Sequence, residues 1–143
     1  MINQISVFLE NKPGTLNEMT AIFAENKIDI RAFSLAETKD FGIARLIVDD
    51  GYEAMNVLKE ADFVANFSPV LAFAIPDEPG GLNHLLQKFT DAKVNIEYMY
   101  ASLGGKDSDS AYMIFRVSDT KQSEAALIAQ GLKPLSQDDI SEI

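Results

Sequence analysis

The chain contains no cysteine, so disulfide cross-links and thiolate chemistry are both excluded. Basic residues are scarce. Twelve lysines and arginines stand against 22 aspartates and glutamates, a formal net charge of −10. The deficit is even: 6 basic and 11 acidic residues lie up to Ser68, and 6 and 11 again from Pro69 onward. Nucleic-acid binding needs a clustered basic face for phosphate, so this balance argues against it. Spread acidity reads instead as a solvated surface. Long apolar runs are also missing. The longest stretch without a charge, Phe63 to Pro76, contains Asn66, Ser68 and Pro69 and is too short to cross a bilayer as a helix, so no membrane association is expected. The segment Met1-Ile2-Asn3-Gln4 lacks the basic start of a signal peptide, and the expected location is cytoplasmic.

Conventional catalytic sets are absent as well. No H-E-x-x-H, no cysteine cluster and no G-x-G-x-x-G after a strand is present. The single histidine, His84, reads as an exposed helix residue. Gly104-Gly105 is followed by no helix, which makes it a turn rather than a phosphate loop. Asp107 and Asp109 resemble a fragment of a calcium loop, but no bidentate glutamate closes it. Neither a metal, a cofactor nor an enzymatic activity is expected.

What the chain does have is an internal repeat. Residues 11–30, NKPGTLNEMTAIFAENKIDI, and 77–96, DEPGGLNHLLQKFTDAKVNI, align at an offset of 66. Seven of the 20 positions are identical: Pro13/Pro79, Gly14/Gly80, Leu16/Leu82, Asn17/Asn83, Phe23/Phe89, Lys27/Lys93 and Ile30/Ile96. A repeat of this length means one structural unit used twice. Two modules are therefore expected, residues 1–68 and 69–143, meeting at Ser68-Pro69. Each alone has a thin core, so packing of the modules or homodimerisation is expected to supplement it.

Alternation of Ile5, Val7 and Leu9 makes Gln4–Glu10 a strand. Asn11-Lys12-Pro13-Gly14 breaks it, and Thr15 with Glu18 fits a capping box for a helix reaching about Asn26. Strands over Ile28–Ala36 and Phe41–Val48, a helix over Tyr52–Ala61 and a short strand Phe63–Phe67 complete the first module. The second follows the same order. It has a strand Val70–Ile75, a helix from Gly81 to Ala92, strands Val94–Leu103 and Tyr112–Val117, and a helix Thr120–Gln130 closed by Gly131. A brief strand Leu132–Ser136 and a loose acidic end Gln137–Ile143 finish it. The hairpin tip Gly104–Ser110 reads as a long, flexible turn. The fold class is α+β: two ferredoxin-like βαββαβ modules, each an antiparallel sheet with helices on one face.

Each Pro-Gly loop sits at a strand end and opens a helix. A helix N-terminus offers unpaired N–H groups and partial positive charge, which suit a carboxylate. Glycine lets a ligand approach the backbone. A plain strand-to-helix turn needs the same residues, so the loop alone leaves both readings open. Tyr98 and Tyr100 lie on the strand face opposite Glu97 and Met99, where they either shape a pocket or belong to a core or interface. Arg31 and Arg45 are candidate carboxylate partners, although single arginines on strands usually read as surface residues.

The pattern Asn11-Lys12-Pro13-Gly14-Thr15-Leu16, then Phe23 and Lys27-Ile28-Asp29-Ile30, resembles the ACT domain. Asp77-Glu78-Pro79-Gly80-Gly81-Leu82, then Phe89 and Lys93-Val94-Asn95-Ile96, resembles it again. The likeness covers nearly the whole chain, as in small proteins built of two ACT domains alone. It implies a regulatory module that binds a free amino acid between paired domains. In the serine-sensing members, an asparagine before the Pro-Gly loop and another at the start of the partner's second strand hold the effector. Those positions are Asn11 and Asp77, and Asp29 and Asn95, in this sequence. Side-by-side pairing would thus give two unequal sites. One comprises Asn11, Pro13, Gly14, Thr15 and Leu16 with Asn95 and Ile96. The second, weaker one comprises Asp77, Gly80, Gly81 and Leu82 with Asp29 and Ile30. A carboxamide both donates and accepts, so the Asn/Asn site suits an amino acid, whereas two ionised aspartates would repel its carboxylate. The expected output is to a separate enzyme or transporter. The alternative is a structural adaptor that no longer binds a small molecule and pairs through its sheet edges.

Overall fold

The computed structural model describes residues 1–103 and 109–142, which form six strands and five helices. They divide into two compact units: Asn3–Ser68, and Pro69–Ile143 together with Met1–Ile2.

The first unit holds β1 (Ile2–Glu10), α1 (Thr15–Glu25), β2 (Ile30–Glu37), β3 (Phe41–Val48), α2 (Gly51–Glu60) and the start of β4 (Val64–Pro76). Its strand order is β2-β3-β1-β4. β3 runs antiparallel to both neighbours, with Ala44 opposite Val7 and Leu35, and Gly42 opposite Leu9 and Glu37. The period-two alternation read from β1 sends Ile5, Val7 and Leu9 onto Met19 and Phe23 of α1 and Ala54, Val57 and Leu58 of α2. Each such apolar side chain, fully buried, contributes about 1.5–3 kcal/mol.

The second unit continues with the rest of β4, α3 (Gly81–Asp91), β5 (Ile96–Ala101), β6 (Ser110–Val117), α4 (Thr120–Ala129) and α5 (Gln137–Ser141). Its strand order is β4-β6-β5, antiparallel throughout. Its core is more aromatic. Phe73 meets Phe89 and Phe115 edge to face at centroid distances of 5.8 and 6.2 Å, and Phe89 and Phe115 tilt together at 4.6 Å. The architecture is the expected α+β, ferredoxin-like one.

Four helices end in the same way. The N–H of Ile28, Phe63, Val94 and Leu132 reaches back to the carbonyl of Phe23, Leu58, Phe89 and Leu127. The residue in between takes positive φ: Lys27 (56°), Asp62 (65°), Lys93 (56°) and Gly131 (86°). These are Schellman endings, which satisfy carbonyls the helix leaves unpaired. Only Gly131 advertises the turn by residue type. The repeated Lys27/Lys93 marks the same turn without glycine.

The structure departs from the sequence reading in four places. Phe63–Phe67 and Val70–Ile75 are one strand, β4, uninterrupted at Ser68-Pro69. The residue before a proline favours extended backbone, and Pro69, which has no N–H to donate, offers its carbonyl to Arg116 Nη1 at 2.7 Å. Leu132–Ser136 is not a strand. It makes a single ladder-like bond, Leu135 N–H to Ala72 O at 2.8 Å, and Pro134 within it has no N–H to add another. The segment Gln137–Ile143 is not a loose end, because α5 forms within it. Ser136 and Asp139 close a reciprocal capping box, and Ile140 is fully buried. Finally, Thr15 is not the cap of α1. Gly14 is, at φ 90°, and no side chain caps it. The expected turn at residues 104–108 lies outside the described residues.

Asp139 titrates below the ordinary carboxylate range, chiefly through the Ser136 backbone N–H and then its side chain. Its capping contribution is therefore present at neutral pH and lost as pH falls through that lowered range. The larger anchor is Ile140. Ile140→Ala is expected to destabilise the chain by about 2–5 kcal/mol, read as a lower midpoint in urea unfolding.

Candidate functional site

The first Pro-Gly loop borders a cleft of about 190 Å³ within the first unit, lined by Leu9, Asn11, Thr15, Leu16, Leu35 and Gly42 among others. Its floor follows from strand register. Leu9, Gly42 and Glu37 form one cross-strand row, and Val7, Ala44 and Leu35 form the next. Both rows belong to the face that meets the helices, where Val7, Leu9 and Ala44 are buried. The central strand contributes only a hydrogen and a methyl group to these rows, and Leu35 leans over the Gly42 position. Thr15 and Leu16 of α1 border the cleft from the helix side. A Cβ at Gly42 would lie 3.3 Å from Leu35 Cδ1, a tight contact to which the Leu35 side chain would have to yield.

The rim is charged. Lys12 Nζ lies 3.0 Å from Glu10, whose hydrogen bond and charge raise the lysine's pKa further and keep it an ammonium. Asn11 Nδ2 points to Glu37 Oε1 at 3.5 Å, the outer limit of a hydrogen bond. In the loop itself, the Thr15 hydroxyl donates to Lys12 O at 3.2 Å, and the first intrahelical bond runs from Glu18 N–H to Gly14 O. The N–H groups of Thr15, Leu16 and Asn17 precede that bond and stand at the positive end of the helix dipole.

The second loop has the same Gly at the same conformation, Gly80 at φ 87°, but it is drawn in on itself. Gly81 replaces Thr15, and its N–H donates to Glu78 O at 3.1 Å. A Cβ on Gly81 would fall 2.3 Å from Pro76 O, closer than any side chain tolerates. The floor differs too. The row matching Val7–Ala44–Leu35 is Phe73–Met113–Ala101, and Met113 packs on the unit's own core. A methionine side chain thus stands in the second unit where the first has the methyl of Ala44.

The remaining expected residues fall as follows. Asp29 and Asn95 each sit just before the second strand of their unit, exposed. Asp29 is held by Arg31 Nη1 at 2.7 Å, so its charge is compensated within the unit. Arg31 is accordingly less exposed than a surface reading implies, with 22% side-chain exposure. Asn95 Nδ2 donates to Ser118 Oγ at 3.1 Å and lines a second, polar cleft of about 400 Å³ with Ser118, Asp119 and Gln122. Ile30 and Ile96 begin β2 and β5, and Leu82 packs on the second core. Pro13 and Gly14 shape the first loop, as Asp77 and Gly80 do the second, without bordering the described clefts. Tyr98 and Tyr100 are half-buried, facing away from the core that takes Met99. His84 is exposed on α3.

Sequence reasoning missed Leu9, Leu35, Glu37 and Gly42 as cleft residues. A glycine inside an otherwise apolar strand was the available signal. Among the described residues no group of three acidic, histidine or cysteine side chains is placed to hold a metal, and no helix is long and apolar enough to cross a membrane.

Gly14 and Gly81 make the contrast between the loops measurable. At Gly14 an added Cβ meets open space, so Gly14→Ala should cost only the left-handed backbone penalty, about 1–2 kcal/mol. Gly81→Ala, which must displace backbone, should lower the thermal midpoint by more.

The whole chain, residues 1–143, matches the family described as an ACT domain pair. No curated protein matches it. Among solved structures, protein BT0572 from Bacteroides thetaiotaomicron is 33% identical over 99% of this chain and 96% of its own, with a TM-score of 0.90. The ligand-free regulatory subunit of aspartate kinase from Thermus thermophilus is 19% identical over 90% and 89%, with a TM-score of 0.65. That of Thermus flavus is 17% identical over 92% of each chain, with a TM-score of 0.59, and these two likenesses show the fold alone. With a repeated Pro-Gly loop, two ferredoxin-like units and a family match from end to end, the chain belongs to the ACT domain pair family.

Proposed function

We propose that this protein is a non-enzymatic regulator that senses a free amino acid. The observation that carries the reading is the open cleft beside Asn11, Thr15 and Leu16, at the loop where ACT domains take an effector. In this reading the α1 N-terminus receives the ligand's carboxylate, and Asn11 meets its ammonium. Asn95 and Ile96, from a second-half unit paired with this loop, complete the site. The Asp77, Gly80, Gly81, Leu82 loop with Asp29 and Ile30 is the weaker counterpart, and the drawn-in Gly81 turn supports ranking it second. A ligand held between paired ACT domains favours one arrangement by its differential affinity for it. The output then passes to a separate enzyme or transporter in the cytoplasm, with the sensor acting as a homodimer.

One observation favours the adaptor as second reading. Phe8 and Phe41, 42% and 52% exposed, lie on the face of the first unit's sheet turned away from its helices, on strands whose register places them beside Ile43 and Glu10. A sheet face of this kind suits a protein partner.

A thermal-shift screen of the twenty amino acids separates the two. A specific effector at about 100 times its Kd should stabilise the chain by about 2.7 kcal/mol. In the Asn11→Ala/Asn95→Ala double variant that shift should disappear. Unchanged affinity in the double variant overturns the assigned site, and a flat response of the native protein across the panel favours the adaptor.

A further inference from the structure

The geometry points to an effector with an aliphatic side chain, of the size of valine, leucine, isoleucine or methionine, seated on Leu9, Leu16 and Leu35, with Leu35 laid over Gly42. This deepens the amino-acid reading of the first loop and rests on it.

Three features of the cleft carry the inference. The first is the chemistry of its floor. Leu9, Leu16 and Leu35 line it, and Gly42 and Ala36 add no polar side chain. Polar side chains border it at the loop and rim: Glu10, Asn11, Lys12, Thr15 and Glu37. The Thr15 hydroxyl is directed at Lys12 O within the loop. A ligand's backbone charges find partners among the rim groups, whereas a polar or charged side chain laid on the leucines would lose its water and find no hydrogen bond. The second is charge. Glu10 is matched by Lys12 at 3.0 Å, while Glu37 meets Asn11 Nδ2 at the longer distance of 3.5 Å. The rim thus has one carboxylate that suits the ligand's ammonium, and a second negative charge on an acidic side chain would be repelled. The third is size. About 190 Å³ is small beside the several hundred Å³ of drug-sized pockets. It is of the order of one amino-acid side chain rather than a larger ligand.

Leu35 is the accessible part of this floor. It is 50% exposed although its strand row faces the helices. A ligand side chain there would bury it. The second unit differs: Ala101 stands in Leu35's place and Met113 in Ala44's.

The test is isothermal titration of the full chain with each of the twenty amino acids, followed by two variants. Valine, leucine, isoleucine or methionine should bind at least about tenfold tighter than serine, asparagine, aspartate or lysine, in line with the discrimination an apolar pocket achieves. Gly42→Ala, which crowds Leu35 Cδ1 from 3.3 Å, and Leu35→Asn, at a half-exposed position, should each weaken the tightest ligand about tenfold or more. Circular dichroism of both variants should match the native chain. If Gly42→Ala loses its fold, Leu35→Asn alone decides. A polar, charged or aromatic amino acid as the tightest ligand overturns the side-chain class and leaves the amino-acid site standing. Unchanged affinity in Leu35→Asn overturns the assigned floor. Binding of none of the twenty overturns the amino-acid reading itself.

Discussion

Phe23 and Phe89 do two things at once, and much of each unit depends on that coincidence. Their rings are buried to 1% exposure at the centre of the two cores, and their carbonyls accept the N–H of Ile28 and Val94 in the turn that ends the helix. Side chain and main chain of one residue thus fix both how the helix lies on the sheet and where the chain leaves it. The exit sets the start of β2 and β5, and with it the positions of Asp29 and Asn95. The left-handed turn this requires is tolerated at Lys27 and Lys93 despite a cost of about 1 kcal/mol for a residue with a side chain. The burial of a phenylalanine, about 1.5–3 kcal/mol, outweighs it.

On that common frame the halves have diverged in what they leave empty. The first unit keeps small residues, Gly42 and Ala44, in the middle strand where the second has Ala111 and Met113. It keeps Thr15 where the second has Gly81, and the second loop folds onto Pro76 O as a result. Close packing is the default of a protein interior, so a leucine-lined cleft next to a loop that offers hydrogen-bond donors is informative.

Much of this was legible in the sequence. Alternation of Ile5, Val7 and Leu9 located β1, because periodicity reports burial directly, and the break at Asn11-Lys12-Pro13-Gly14 located the start of α1. The repeat and its Pro-Gly loops led to the family. What stayed hidden depended on partners distant in sequence. Gly42 is an ordinary strand glycine until the register sets it between Leu9 and Glu37. Arg31 has the look of a surface residue in sequence, and its turn back to Asp29, two residues before it, is a matter of side-chain geometry. The end of the chain looked disordered because its charges, Asp138, Asp139 and Glu142, outnumber its apolar residues, while a single buried isoleucine and a two-residue cap order α5. Asn11 and Asn95 belong to separate units, and their pairing comes from family likeness rather than from either unit's geometry.

The unbroken strand β4 has a consequence for how such a chain can change. In each half the odd-numbered residues of β4 face that half's own helices: Ala65 in the first, Leu71, Phe73 and Ile75 in the second. A strand has a strict two-residue phase, so inserting or removing one residue between Leu71 and Ile75 would turn part of that set out of its core. The apolar face of this half of β4 is held by its ladder with β6, and its side chains can diverge far more freely than the length of backbone that carries them.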